Sequence, residues 1–299
     1  MRILLVGKNG QVGWELQRAL APLGELLALG REETGDLATT DRLVARIREL
    51  APQVIVNAAA YTAVDKAETE VEQAQRLNAE LPAVLAREAA ALDAWLVHYS
   101  TDYVFDGSGT QPWTEEAPTG PLSAYGRGKL AGEKAILASG VRALIFRTSW
   151  VYASRGHNFV RTVLRLAQER ETLDIVADQV GAPTGADLLA DVTALALHQV
   201  LQADAAGAAL SGIYHLVAAG ETSWHSIARF VLSEAERAGM QLRVSADKLG
   251  AIPSEAYPTP APRPRNSRLV TSKLEQAFNV RMPPWQSGIQ RMLHEILAK

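Results

Sequence analysis

The chain has no cysteine among its 299 residues, which excludes disulfide staples, thiolate nucleophiles and cysteine-ligated metals, and suits a reducing compartment such as the cytoplasm. It also lacks any apolar run long enough for a membrane span or a secretory-signal core. Met1-Arg2 leads directly into Ile3-Leu4-Leu5-Val6 and then glycine, which reads as a buried strand. A formal net charge of -3 with interspersed signs leaves no basic stripe, so neither nucleic acid nor an anionic membrane is an expected partner. The six histidines show no His-Glu-x-x-His or related spacing, and there is no Gly-x-Ser-x-Gly elbow. Zinc-hydrolase and serine-hydrolase readings therefore fail at the first step. Internal repeats and long low-complexity tracts are absent as well.

What remains is alternation. Apolar runs at Arg2 to Val6, Glu25 to Leu29, Gln53 to Asn57, Trp95 to Ser100 and Ala143 to Arg147 predict strands. Helical periodicity falls between them, at Gln11 to Leu20, Asp41 to Leu50, an Ala-rich Val71 to Leu92, and a segment carrying Tyr125 and Lys129. Strands alternating with helices imply βαβ units and an α/β fold with a doubly wound parallel sheet of Rossmann type. This dinucleotide-binding domain is expected over 1–150. Texture changes after Ser149, with helices near Phe159 to Gln168, Asp187 to Leu201 and Trp224 to Ala238. Residues 151–299 are therefore expected to form mainly a smaller C-terminal substrate lobe, with some segments returning to the sheet. Within it, Pro258, Pro260, Pro262 and Pro264 alternate beside Arg263, Arg265 and Arg268; linker and phosphate contact are both open readings.

The first glycine cluster, Gly7-x-x-Gly10-x-x-Gly13, follows a strand and opens a helix. In that context glycines permit the tight turn, the approach of pyrophosphate and the packing of helix on strand, with Gln11 and Val12 at the helix start. Other doubly wound proteins also place glycines here. A carboxylate at the end of the second strand would read a ribose 2′-hydroxyl, but Gly30 and Arg31 stand there, which favours a 2′-phosphate and hence NADPH. Glu32 and Glu33 keep NADH open. Asp36 and Leu37 are candidates to border adenine, and Ala58-Ala59-Ala60 form a small-residue strand end past which a dinucleotide could lie.

Tyr125 and Lys129 lie four apart, hence on one helix face. An ammonium there favours the phenolate and turns the phenol into a proton donor near neutral pH, which is carbonyl-reduction chemistry. By itself the pair is a weak signal that reads more readily as a half-buried tyrosine beside a solvated lysine. The glycine loop upstream and Thr101 at a strand end supply the context that favours chemistry.

This set of residues resembles the extended short-chain dehydrogenase/reductases and, among them, the dTDP-4-dehydrorhamnose reductase family. The blocks that carry the resemblance run almost end to end. They are Gly7 to Gly13, Val56-Asn57-Ala58-Ala59-Ala60-Tyr61-Thr62-Ala63-Val64-Asp65, Ser100-Thr101-Asp102-Tyr103-Val104-Phe105-Asp106-Gly107, Phe146 to Tyr152, Asp178 to Thr184, Tyr257 to Ala261 and Asn266 to Leu269. The resemblance implies reduction of the C4 ketone of dTDP-4-dehydro-L-rhamnose, with Thr101, Tyr125 and Lys129 catalytic. It further implies a cofactor site that includes Tyr61, Thr62 and Tyr99, and sugar contacts from Val64, Asp102, Tyr103 and Trp150. A homodimer is implied too, and a Mg2+ at its contact with Glu15, Asp187 and Glu295 in position to ligate it; the other reading of these three is solvated charge. Two alternatives belong to the same superfamily. A 4,6-dehydratase typically carries Asp-Glu after the threonine where this chain has Asp102-Tyr103, and a non-catalytic regulatory subunit like that of methionine adenosyltransferase would not need the intact Thr101, Tyr125 and Lys129.

Overall fold

The computed structural model describes residues 1–35 and 40–297, with the side chains of residues 204 and 205 outside the description. Its centre is a parallel sheet built from β1 (Arg2–Val6), β2 (Glu25–Leu29), β3 (Val54–Asn57), β4 (Trp95–Thr101) and β5 (Ala143–Thr148), extended by a strand at Gly212–His215. The spatial order places Gly212–His215 at one edge, then β5, β4, β3, β1 and β2. Every residue of β3, β4 and β5 is buried, as a parallel sheet covered on both faces requires. One face packs under α1 (Gln11–Leu20) and α8 (Ala186–Gln202), where Leu16, Leu20, Leu189 and Leu197 meet Leu5, Val56 and Val97. The opposite face receives α3 (Asp41–Leu50) and α5 (Leu81–Ala91), through Leu43, Ile47, Leu81 and Leu85. Strand order reverses between β1 and β3, and in open α/β sheets the crevice beyond the carboxyl ends at that point is where ligands bind.

Two elements differ from the sequence expectation. The Ala-rich helix expected over Val71 to Leu92 is α4 (Val71–Gln75), a wide π-type turn at Arg76–Glu80, and then α5. Pro82, in the first turn of α5, has no N–H to give the carbonyl of Asn78, which accounts for the break on the α5 side. Asn78 also has other work: its amide bonds both backbone groups of Tyr61, at 2.9 and 3.0 Å, fixing the loop after β3. The strand Gly212–His215 was not evident in the sequence, because four residues beginning with glycine carry no periodicity. Beyond it, a second core joins α7 (Phe159–Glu169), the helix Trp224–Arg237 and the helix Trp285–Leu297.

Helix α6 (Ala124–Ala138), which carries Tyr125 and Lys129, is tied to the sheet by one buried ion pair. Arg147 of β5 donates to both carboxylate oxygens of Glu133, at 3.0 and 2.7 Å, and its guanidinium lies 5.1 Å from the centre of the Phe105 ring. Both side chains are almost completely removed from water. Truncating one partner strands a buried charge, so Glu133→Leu is expected to lower unfolding free energy by about 3–5 kcal/mol. Glu133→Leu/Arg147→Met should recover most of that loss. Urea unfolding of both variants checks the pair, and a loss under about 1 kcal/mol in the single variant would mean that it does not anchor α6.

Candidate active site

The carboxyl ends of β1, β3, β4 and β5 open onto a cleft of about 1080 Å³, closed on its far side by α7 and the proline-rich segment near Tyr257 and Arg263. That exceeds the space one drug-sized ligand needs and leaves room for two. Gly10, Gln11, Val12, Ala58, Ala60, Thr62 and Tyr99 line it, as do Val64, Asp102, Tyr103 and Trp150. Thr101, Tyr125 and Lys129 border the same cleft.

Thr101 ends β4 and caps the short turn Asp102–Val104, accepting the Tyr103 N–H at 3.2 Å. Its own hydroxyl proton goes to Asp102, 3.0 Å away, and the Ser267 hydroxyl donates to the other carboxylate oxygen of the same group. Burial raises Asp102 to about 6 against those bonds. Ser123 starts α6 by accepting the Gly126 N–H at 3.1 Å, and this sets Tyr125 in the first turn. A side chain at Gly126 would collide with the Tyr103 carbonyl, so glycine lets the helix settle against the β4 turn. The Tyr103 and Tyr125 rings then meet edge to face at 5.5 Å, and burial pushes Tyr103 up to about 12.

Lys129 lies deeper than its spacing suggests. It is 2% exposed, donates to the Tyr99 carbonyl at 2.5 Å, and sits 3.2 Å from the Nε2 of His98. Desolvation lowers it to about 8. Burial also raises the Tyr125 phenol above its ordinary value, with the neighbouring Thr101 hydroxyl opposing the rise. In this ligand-free state desolvation is the main influence on Tyr125, and Lys129 is engaged with β4. His98 is a site residue that the sequence reading missed; its signal was a histidine in the middle of a fully buried strand.

The first loop fits a dinucleotide. Gly7 has φ +94°, and a Cβ there would lie 2.6 Å from the Ala59 nitrogen; one on Gly13 would strike the Gly7 carbonyl. The backbones of the loop, α1 and the β3 end therefore press together, with Ala59 taking part through its main chain. The first turn of α1 carries no acidic residue, leaving its N–H groups to an anion. Two buried hydroxyls that border the cleft, Ser100 and Thr148, have no hydrogen-bond partner among the described residues, as expected of groups that a ligand satisfies. Tyr61 turns away, its hydroxyl donating to Glu70 at 2.5 Å. Arg31 is exposed at the start of a four-residue helix, whereas Lys8 and Asn9 stand over Gly30: a Cβ there would be 3.1 Å from Lys8 Cε and 2.9 Å from Asn9 Nδ2. Lys8 pairs with Glu33, which also accepts the Gly30 N–H at 2.7 Å. Asp36 and Leu37 lie outside the described residues.

Elsewhere the structure corrects the sequence. Glu15, Asp187 and Glu295 do gather around one small cavity, but Arg291 enters it, 3.3 Å from Asp187 and 3.5 Å from Glu295. A guanidinium thus supplies the positive charge expected of Mg2+, and no metal-type cluster of three ligands occurs among the described residues. The three arginines of the proline-rich segment are also engaged. Arg263 pairs with Asp65, Arg265 with Glu255 and Asp178, and Arg268 with Glu221, so they fasten this segment to its surroundings. Trp150 has φ +50°, an uncommon conformation for a bulky residue, and stacks on Trp224 with ring centres 3.9 Å apart.

Known proteins with these features are numerous. Residues 1–298 match the RmlD substrate binding domain family. The dTDP-4-dehydrorhamnose reductase of Shigella flexneri is 54% identical over 100% of this chain and 99% of its own length. A Clostridium acetobutylicum dTDP-4-dehydrorhamnose reductase structure superposes with a TM-score of 0.88 at 33% identity, covering 100% of both chains. The Bacillus anthracis counterpart, solved in complex with NADP, gives 0.86 at 30% identity over 98% of this chain and 99% of that one. More distant nucleotide-sugar enzymes, such as an epimerase from Thermus thermophilus at 21% identity, share the fold alone. Full-length agreement in sequence and in structure leads to one assignment: the chain belongs to the dTDP-4-dehydrorhamnose reductase family.

Proposed function

We propose that the protein reduces the C4 ketone of dTDP-4-dehydro-L-rhamnose to dTDP-L-rhamnose with NADPH, acting as a cytoplasmic homodimer. The observation that carries this reading is the meeting of Thr101, Tyr125 and Lys129 in a cleft whose other wall is a glycine-rich helix start. Bound there, the reduced nicotinamide supplies a hydride. Tyr125 gives its phenolic proton to the ketone oxygen as that oxygen gains charge. Burial keeps the phenol protonated at neutral pH, and donation remains downhill because an alkoxide is more basic than a phenolate. Thr101 holds the same oxygen once its hydroxyl turns from Asp102, and Lys129 holds the nicotinamide ribose. On the sugar side, Tyr103, Asp102, Trp150 and Val64 shape the pocket, with Arg263 within 3.4 Å of the Tyr103 hydroxyl.

The NADPH preference follows from the Gly30 region. Gly30 offers no carboxylate to repel a 2′-phosphate, while Lys8 stands beside it and Arg31 follows it. Glu33 competes for Lys8 and leaves NADH usable at lower efficiency.

Two experiments test the reading. Turnover of the ketosugar nucleotide, followed by NADPH oxidation, should fall by roughly 10²–10⁴-fold in Tyr125→Phe, with cofactor affinity retained. Near-normal turnover in that variant would reject the assignment. For the cofactor, a charge-assisted contact is worth about 1.5–3 kcal/mol, so Lys8→Ala should cut the kcat/KM preference for NADPH over NADH on the order of 10–100-fold. Arg31→Ala should have the smaller effect. A ratio that ignores Lys8 and collapses in Arg31→Ala would transfer the role to Arg31.

A further inference from the structure

His98 lies in the middle of β4, wholly buried, with one ring nitrogen beside Asn57 and the other beside Lys129. Its proton can be placed by following hydrogen bonds from the backbone inward. The Ala59 N–H donates to Oδ1 of Asn57 at 3.1 Å, and an amide N–H can only donate, so Oδ1 is the oxygen and the other end of the Asn57 amide is its NH₂ group. That NH₂ lies 3.1 Å from Nδ1 of His98, which must therefore be the bare, accepting nitrogen. Burial holds His98 well below its ordinary range, so the ring is neutral and has a single N–H. The proton is on Nε2, and it points at the Lys129 nitrogen 3.2 Å away.

An ammonium cannot accept that proton. A neutral amine can: its lone pair takes the Nε2–H, one of its two N–H bonds goes to the Tyr99 carbonyl, and the other is left for the cleft. We propose that His98 is a positioning residue for Lys129: fixed by Asn57 as the Nε2–H tautomer, it donates to the lysine nitrogen and biases Lys129 toward the neutral amine in the ligand-free protein. This rests on the reading of Lys129 as a member of the reductase site. Among titratable groups, the His98 ring on β4 faces Lys129, while Tyr99 offers only its backbone carbonyl and turns its hydroxyl to Thr193; on the lysine's own helix, Tyr125 lies one turn away, and Glu133 favours the ammonium but is committed to Arg147 of β5. The balance leaves the charge of Lys129 responsive to what enters the cleft.

The test reads protons directly. In protein labelled with isotopic nitrogen at histidine, a two-bond proton–nitrogen correlation spectrum near neutral pH should show His98 with a bare Nδ1 and a protonated Nε2, the signals being identified by their loss in His98→Gln. In carbon-labelled lysine, the Lys129 Cε resonance should titrate below the other lysines, and in His98→Phe its midpoint should rise by about one pH unit, the worth of one ordinary hydrogen bond. A protonated Nδ1 would overturn the proposal, as would a Lys129 midpoint that stays or falls in His98→Phe. Should His98→Phe not fold, the tautomer of the wild-type ring decides alone. Neither spectrum needs substrate or turnover. Loss of the reductase reading would appear in the NADPH assay with these spectra intact, and loss of the His98 arrangement would appear in the spectra with turnover intact.

Discussion

Desolvation at the carboxyl ends of β3, β4 and β5 is the constraint on which the site depends. Asn57, His98, Thr101, Asp102, Lys129, Glu133, Arg147 and Thr148 are all buried there, in a layer that an ordinary core would fill with aliphatic side chains. Each buried polar group must find a partner or lose about 1–3 kcal/mol. The outcome is a connected floor in which Asn57 orders His98, His98 meets Lys129, Glu133 neutralises Arg147, and Ser267 reaches in from the second half of the chain to Asp102. The same dryness that makes these contacts obligatory sets the ionisation of Tyr125, Asp102 and Lys129. Structure and chemistry at this level have a single cause.

Much of this was legible in the sequence because it is local. Strand runs and the glycine loop are short-range patterns, and they place β1 and α1 at their observed bounds. Thr101, Tyr125 and Lys129 could be picked out because a strand end and a four-residue helical spacing are both local rules. What could not be read is lateral. Whether Lys129 points at Tyr125 or under β4 depends on the depth of α6 against the sheet, which Gly126 and the Glu133–Arg147 pair set. Lys8 carries no signal of its own in the sequence, since only the fold places it above Gly30. The Mg2+ expectation finds no support for a related reason. Three carboxylates were visible far apart in the sequence, but not the arginine between two of them, one helical turn from Glu295.

The second half of the chain serves the first by bracing it. Arg263 and the Ala261 N–H both reach Asp65 in the loop after β3, while Trp113 hydrogen-bonds the backbone at Asn266. These contacts join residues 153 to 198 positions apart and hold the proline-rich segment over the cleft mouth. Prolines at alternate positions suit that task, because a segment with little conformational freedom loses little on being fastened.

Trp150 carries a different consequence. A bulky residue in the left-handed region costs about 1–3 kcal/mol of backbone strain, and here that strain places an indole on Trp224 at the cleft wall. Glycine would relieve the backbone and remove the ring. At this position selection for a more stable chain and selection for a better-shaped pocket pull in opposite directions, so a thermostability screen blind to activity would drift toward emptying the pocket.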